Sequence, residues 1–339
     1  MPAERMLNDA RELIEIESIT GNEEGVVRRL ECALDAMGLE TRSEQVAAGR
    51  RNLMAGPERP AVLFCTHTDT VPPHIPLRED ERYLYGRGAC DTKGISAAML
   101  EAGRRLLAEG IRDFGYLFVV GEEVDNAGAR AANRHVRAGH VIVGEPTENR
   151  LAVGHKGFVS LRVEVEGTPC HSAYPERGDS ALHRLLAALA RLQASDFGND
   201  DVLGPATLNI GVVQGGVAAN VLAPHAEARI ALRVVGDLDE AEQLVRACFA
   251  DPATGREDPR VSLEIISRMP RPKLERLEGL PETTVSYGTD VPFLQDVGKA
   301  FLLGPGSILD AHTDHEKIEK AAMEEAAGIY AAMVKRLRA

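Results

Sequence analysis

The chain has 339 residues, 44% hydrophobic and 27% charged, with a formal net charge of −13. It is longer than the ~250–300 residues at which single hydrophobic cores stop growing, so two domains are expected. The acidic balance, without any basic tract, excludes nucleic acid as an expected partner.

The opening stretch, MPAERMLNDARELIEIESIT, carries charges throughout. It offers neither a signal-peptide core nor the ~20 apolar residues of a membrane span, so no membrane association is expected and a cytoplasmic location is the default. The five cysteines (Cys32, Cys65, Cys90, Cys170 and Cys248) form no Cys-x-x-Cys pair and read as small buried residues.

Residues 4–16 and 23–37 repeat apolar side chains at helical spacing. Thr20 and Glu23 have the spacing of a capping box, and Gly38 is a plausible stop. After a short polar stretch, AVLFCTHTDT is an apolar run ending in His and Asp. GRGACDTKG then leads into a helix, and YLFVVGEEVD and HVIVGEPTEN read as further strands. Short apolar strands separated by helices predict an α/β domain with a mixed, mostly parallel sheet.

From about residue 155 the pattern changes, with KGFVSLRVEVEG alternating as a half-exposed strand does. The order β-α-β-β-α-β through residue 268 predicts an inserted α+β domain of ferredoxin-like arrangement. The α/β pattern resumes with KAFLLGPGSILDAHT and closes with a helix from about Asp314, with Ile318, Ala322, Ala326, Ile329, Met333 and Leu337 on one face. The expected division is 1–154, 155–268 and 269–339.

In open α/β sheets, ligands bind beyond the carboxyl ends of the strands. The polar residues delivered there are His67, Asp69, Asp91, Glu122, Glu123, Glu145 and His312. The paired acids of GEEVD pose a question, since adjacent buried carboxylates repel and lose hydration. A solvated strand end is one answer; a divalent cation in front of them is the other. Two imidazoles and several carboxylates converging from distant positions favour the cation, zinc or a similar ion.

The segments HTDTVP, GRGACDTKG, GEEVD, GEPT, GTPCHSAYP and AHTDHE resemble, in order and approximate spacing, the dinuclear-zinc amidohydrolases. That family includes acetylornithine deacetylase, succinyl-diaminopimelate desuccinylase, aminoacylase and carboxypeptidase G. The resemblance runs through nearly the whole chain and implies a zinc-hydrolase catalytic domain carrying an inserted lid and dimerisation domain. It also implies two Zn2+ per subunit, replaceable by Co2+. Asp91 would bridge them, with His67 and Glu145 completing one site and Glu123 and His312 the other. Asp69 matches the carboxylate that orients His67, and Glu122 the general base.

By the same resemblance, His171 would reach from the lid into a partner subunit's site and hydrogen-bond the oxyanion, which implies a homodimer. Lys156, Asn220, Arg233 and Gly288 match substrate-facing positions, with Arg233 or Lys156 a candidate for an α-carboxylate. The expected reaction is hydrolysis of an N-acyl amino acid, with N-acetylornithine or a related N-acyl-ornithine or lysine of arginine or lysine biosynthesis as the leading substrate. Succinyl-diaminopimelate is the alternative. An aminopeptidase or dipeptidase would share every metal ligand, and a non-catalytic metal-binding homologue would have no use for Glu122.

Overall fold

The computed structural model describes residues 2–338, whose contacts divide the chain into two units. The first comprises the residues up to Val153, Lys273–Val285 and those from Thr289 onward; the second comprises Gly154–Pro272 and Ser286–Gly288. Relative to the expected 155–268, the second unit therefore extends to Pro272 and gains the stretch around Gly288. Gly288 joins it by close approach to Met269, whose Sδ would lie 2.6 Å from an added Cβ.

The first unit is built on an eight-stranded sheet in the order Thr41–Ala47, Arg50–Ala55, Phe114–Val119, Val62–His67, His140–Val143, Lys299–Leu302, Leu151–His155, Glu282–Val285. The four strands from Phe114–Val119 to Lys299–Leu302 pair in parallel, and antiparallel strands flank them. This is the mixed α/β sheet expected. Val62–His67 and Phe114–Val119 are buried at every position, which is why they read as continuous apolar runs. The core includes side chains of the helices Pro2–Glu15, Glu24–Ala36, Gly94–Ala108 and Lys320–Leu337. Phe64 sits at its centre, with ring centroids of Phe114, Tyr116 and Tyr330 at 6.1, 5.5 and 5.8 Å. Each such buried side chain contributes about 1.5–3 kcal/mol.

Three local expectations are corrected. The polar stretch before Val62 is a β-hairpin, Thr41–Ala47 with Arg50–Ala55, turning at Gly49 with φ of 72°. The Thr20–Glu23 capping box does not form: Glu23 has helical φ and ψ and pairs with Arg50 at 2.7 Å, while the Thr20 hydroxyl donates to Asp69. The last helix starts at Lys320, because Lys317–Glu319 is drawn into a strand antiparallel to Tyr83–Tyr85. Gly38 does end the second helix, with φ of 72° and its N–H donating to Asp35 O.

The second unit has the β-α-β-β-α-β order, its antiparallel sheet running Thr207–Gly215, His225–Val234, Gly157–Glu166, Val261–Met269. Gly157–Glu166 alternates buried and half-buried residues as its sequence pattern requires. The buried side chains pack with Leu185, Leu189 and Leu192 of Ala181–Ala194 and with Val245 and Phe249 of Leu238–Phe249. Both helices are capped: Ser180 Oγ accepts the His183 N–H, and Asp237 accepts those of Asp239 and Glu240. Among the described residues, no helix is long and apolar enough to cross a membrane.

Candidate metal centre

The parallel strands align their ends, with His67 opposite Val119 and Cys65 opposite Val143. His67 closes its strand, Glu122 and Glu123 follow Phe114–Val119, Glu145 follows His140–Val143, and His312 lies beyond Lys299–Leu302. Asp91 comes from the irregular turn Ala89–Lys93, which leads into the helix Gly94–Ala108. All the acids and imidazoles expected of the first unit therefore belong to one strand-end edge.

Asp69 organises the acidic turn. Its Oδ1 accepts the N–H groups of Gly121 and Glu122 at 3.0 and 3.1 Å, and its Oδ2 accepts the Glu123 N–H at 3.2 Å and the Thr20 hydroxyl at 2.7 Å. Burial favours the protonated form of Asp69, but His67 and these donors outweigh it and lower its pKa. For His67 the nearer partner is the backbone: Nδ1 lies 3.0 Å from the Asp69 carbonyl oxygen and 3.5 Å from its carboxylate. Either acceptor fixes the tautomer with Nδ1 protonated and Nε2 free to coordinate.

Two groups of side chains could each hold an ion: His67, Asp91 and Glu145, and Asp91, Glu123 and His312. Within each, the ligand atoms all lie within 4.8 Å of one another. Asp91 belongs to both. Its Oδ1 is 2.9 Å from His67 Nε2, and its Oδ2 is 3.3 Å from His312 Nε2, which is also 3.1 Å from Glu123 Oε1.

The charges test whether cations fit here. Burial, reinforced by Asp91, raises Glu145 well above the carboxylate range; burial, reinforced by Glu145, does the same to Glu122. Glu123 is also raised by burial, against the pull of His312. Asp91 and Glu123 together raise His312 to about 10. Burial opposes a charged His67, but Asp69 and Asp91 raise it well above its ordinary value, so its Nε2 faces Asp91 Oδ1 across a proton, the place a metal ion would take. Imidazole and carboxylate donors suit zinc and its borderline neighbours, so the residues fit two divalent ions.

The remaining candidates lie in the second unit. His171 is exposed, its Nδ1 accepts the Ala173 N–H at 3.1 Å, and its ring centroid is 6.3 Å from that of Tyr174. The chain at His171 pairs with Val221, and the Ser172 N–H donates to Asn220 O at 2.9 Å, so His171 and Asn220 belong to adjoining segments. Arg233 lies over the Phe158 ring at 4.4 Å, and Lys156 Nζ donates to Pro205 O at 2.5 Å.

A family model described as peptidase family M20/M25/M40 matches residues 63–336. The chain belongs to that family. It is thus an M20 hydrolase acting on amide bonds. It is 38% identical to a probable carboxypeptidase of Aspergillus clavatus, over 98% of this chain and 82% of the relative. A tripeptidase of Staphylococcus aureus shares the fold with a TM-score of 0.81 and 23% identity, covering 99% of this chain and 98% of that one. So does a Bacillus subtilis M20 peptidase described as dinuclear metal binding, with a TM-score of 0.71 and 15% identity over 98% and 97% of the two chains.

Other groups at this M20 site had escaped the sequence reading. Asp290 is 1% exposed and raised to about 7 by burial, with Asn126 Nδ2 donating to its Oδ1 at 3.0 Å. Asn126, at a left-handed φ of 53°, ends the acidic turn by donating its N–H to Gly121 O at 2.7 Å. The signal was an acid heading the apolar run Val291-Pro292-Phe293. Glu316 and Arg87, buried as an ion pair at 2.7 Å, were also missed as a pair.

Proposed function

We propose that the protein hydrolyses the amide bond joining an acyl group to an amino acid with a free α-carboxylate, using two zinc ions replaceable by cobalt. The observation that carries this reading is the shared position of Asp91, one oxygen turned to each ligand group. His67, Asp91 and Glu145 would hold one ion, and Asp91, Glu123 and His312 the other. Such ions polarise the scissile carbonyl and make water a nucleophile at neutral pH.

The chain's own residues supply the rest. Glu122 accepts a proton from the attacking water and passes one to the leaving amine, the role of a carboxylate placed beside that water. Asp69 holds Glu122 in place through the backbone. In the second unit, His171 offered by a partner copy would donate to the oxyanion, Arg233 or Lys156 would bind the α-carboxylate, and Asn220 and the loop at Gly288 would contact substrate. This reading carries a homodimer with it.

An N-acyl amino acid is the smallest molecule with a carboxypeptidase-type bond, so the deacylase and carboxypeptidase readings differ only in what precedes that bond. The name of the Aspergillus clavatus relative favours a peptidyl acyl group. The motifs shared with acetylornithine deacetylase favour N-acetylornithine or a related N-acyl-ornithine or lysine, with succinyl-diaminopimelate as alternative.

The test is a panel given to zinc- or cobalt-loaded protein: N-acetylornithine, N-succinyl-diaminopimelate, N-blocked dipeptides and unblocked dipeptides, with amino-acid release followed by chromatography. Cleavage of blocked substrates and loss of cleavage on esterifying the α-carboxylate are expected. Cleavage confined to peptides with a free amino terminus would turn the assignment to an aminopeptidase.

A further inference from the structure

The two ligands that define the second ion group besides Glu123 come from loops far apart in sequence, around Asp91 and around His312. The pairing of Tyr83–Tyr85 with Lys317–Glu319 brings the two loops together at one end, but neither Asp91 nor His312 lies within a strand. Beyond that pairing, the side chain of Glu316 joins them. Its Oε1 accepts the backbone N–H groups of Cys90 and Asp91, both at 3.1 Å, while its Oε2 pairs with Arg87 at 2.7 Å. Arg87 Nη1 in turn donates to Thr313 O at 3.3 Å, and the Gly86 N–H donates to Glu316 O at 3.0 Å. Both side chains are buried, at 2% and 0% exposure.

The arrangement also meets a local need. His312 has a φ of 61°, a left-handed conformation that a non-glycine residue keeps only where its surroundings impose it. The residue after it is pinned three ways: Arg87 holds Thr313 O, Thr313 Oγ1 donates to Asp310 O at 2.7 Å, and the His315 N–H donates to Thr313 Oγ1 at 3.2 Å.

We infer that the buried Arg87–Glu316 pair is a positioning brace for the second ion, setting the spacing of Asp91 and His312 without touching the ion or the substrate. This rests on the two-ion reading of the site. The first group depends on the brace less, since His67 ends a fully buried strand and Glu145 follows another, leaving only Asp91 in common. Loss of the brace should therefore separate the two affinities.

Removing one partner would strand a buried charge and endanger folding, so both are changed together. Arg87→Met with Glu316→Gln keeps an acceptor oxygen for the Cys90 and Asp91 amides. Arg87→Met with Glu316→Leu removes it. Metal-depleted proteins are titrated with Co2+, following heat and the visible d–d bands, with circular dichroism and melting as folding controls.

The parent should take up two ions, and the Gln double variant, which keeps the acceptor for the Asp91 amide but loses the Arg87 hold on Thr313, should weaken the second less than the Leu double variant does. The Leu double variant should keep the first within about threefold and lose ~10–100-fold on the second, the usual effect of disturbing groups that orient ligands. If the Leu variant fails to fold, Glu316→Asp, which withdraws the oxygens by one methylene, carries the same expectation. Two parental affinities in a folded Leu or Asp variant would overturn the brace and leave the metal centre standing. A parent that binds no Co2+ would overturn both.

Discussion

The carboxylate of Asp69 reaches across from the end of one parallel strand to accept the backbone N–H of Glu122, at 3.1 Å, on the turn after its neighbour. The Glu122 side chain is thereby left free, because the contact uses its backbone only. Asp69 is 1% exposed and accepts three further donors, so its two oxygens are committed. Asp69→Asn presents an NH2 where one of these oxygens stood, opposing at least one N–H. An unsatisfied buried donor costs about 1–3 kcal/mol. The expected result is a lower melting temperature together with a ~10–100-fold fall in kcat/KM, since the turn carrying both Glu122 and Glu123 would shift. A variant that melts lower but keeps full kcat/KM would show that the turn tolerates the change.

Glu122→Gln separates the proton carrier from the ligands. The substitution is nearly isosteric, and Glu122 belongs to neither ligand group. Turnover should fall by ~10²–10⁴-fold, the range for losing a general acid-base. Bound zinc, measured by elemental analysis after dialysis, should match the parent. Surviving turnover would remove Glu122 from the mechanism.

How much of this was visible in the residues alone follows from burial. Val62–His67 and Phe114–Val119 are covered on both faces, so their apolar runs and the polar residues at their ends stand out. The hairpin Thr41–Ala55 has a half-exposed first strand, TRSEQVA, whose polar residues hide the period of two. Single residues whose partners are distant were the least legible. Thr20 looked like a helix cap because Glu23 is three residues away, yet the buried Asp69 offers its hydroxyl a charged acceptor. Asp290, Asn126 and the Arg87–Glu316 pair act through contacts across wide sequence gaps, which no local spacing reports.

Metal uptake should depend steeply on pH. Asp91 and Glu123 raise His312 to about 10, so at neutral pH its imidazole is protonated, and an entering ion must displace that proton. The sign follows: affinity for the ion held by Asp91, Glu123 and His312 rises with pH, by up to tenfold per unit, until His312 is neutral. Binding releases protons. Calorimetric titration with Co2+ in two buffers of different ionisation enthalpy should give heats that differ in proportion to the proton count. His312→Gln should reduce that difference along with the affinity; equal heats in both buffers for the parent would contradict a protonated His312.

Gly103, within the helix Gly94–Ala108, sets two physical effects against each other. Helix propensity favours Gly103→Ala by about 0.8–1 kcal/mol. The added methyl, however, would overlap the Tyr116 hydroxyl and come within 3.0 Å of Phe114 Cε2. Tyr116 cannot easily yield, since it is fully buried, donates to Met99 O at 3.1 Å and stacks on Phe118 with 5.8 Å between centroids. Overpacking of this kind costs typically 1–3 kcal/mol and here overlaps a fixed group, so the steric effect wins. The variant should melt several degrees below the parent. Combining it with Tyr116→Phe removes the struck oxygen, so the double variant should be more stable than the sum of the two single losses, a coupling expected only of residues in contact. Additive losses would place the clash elsewhere.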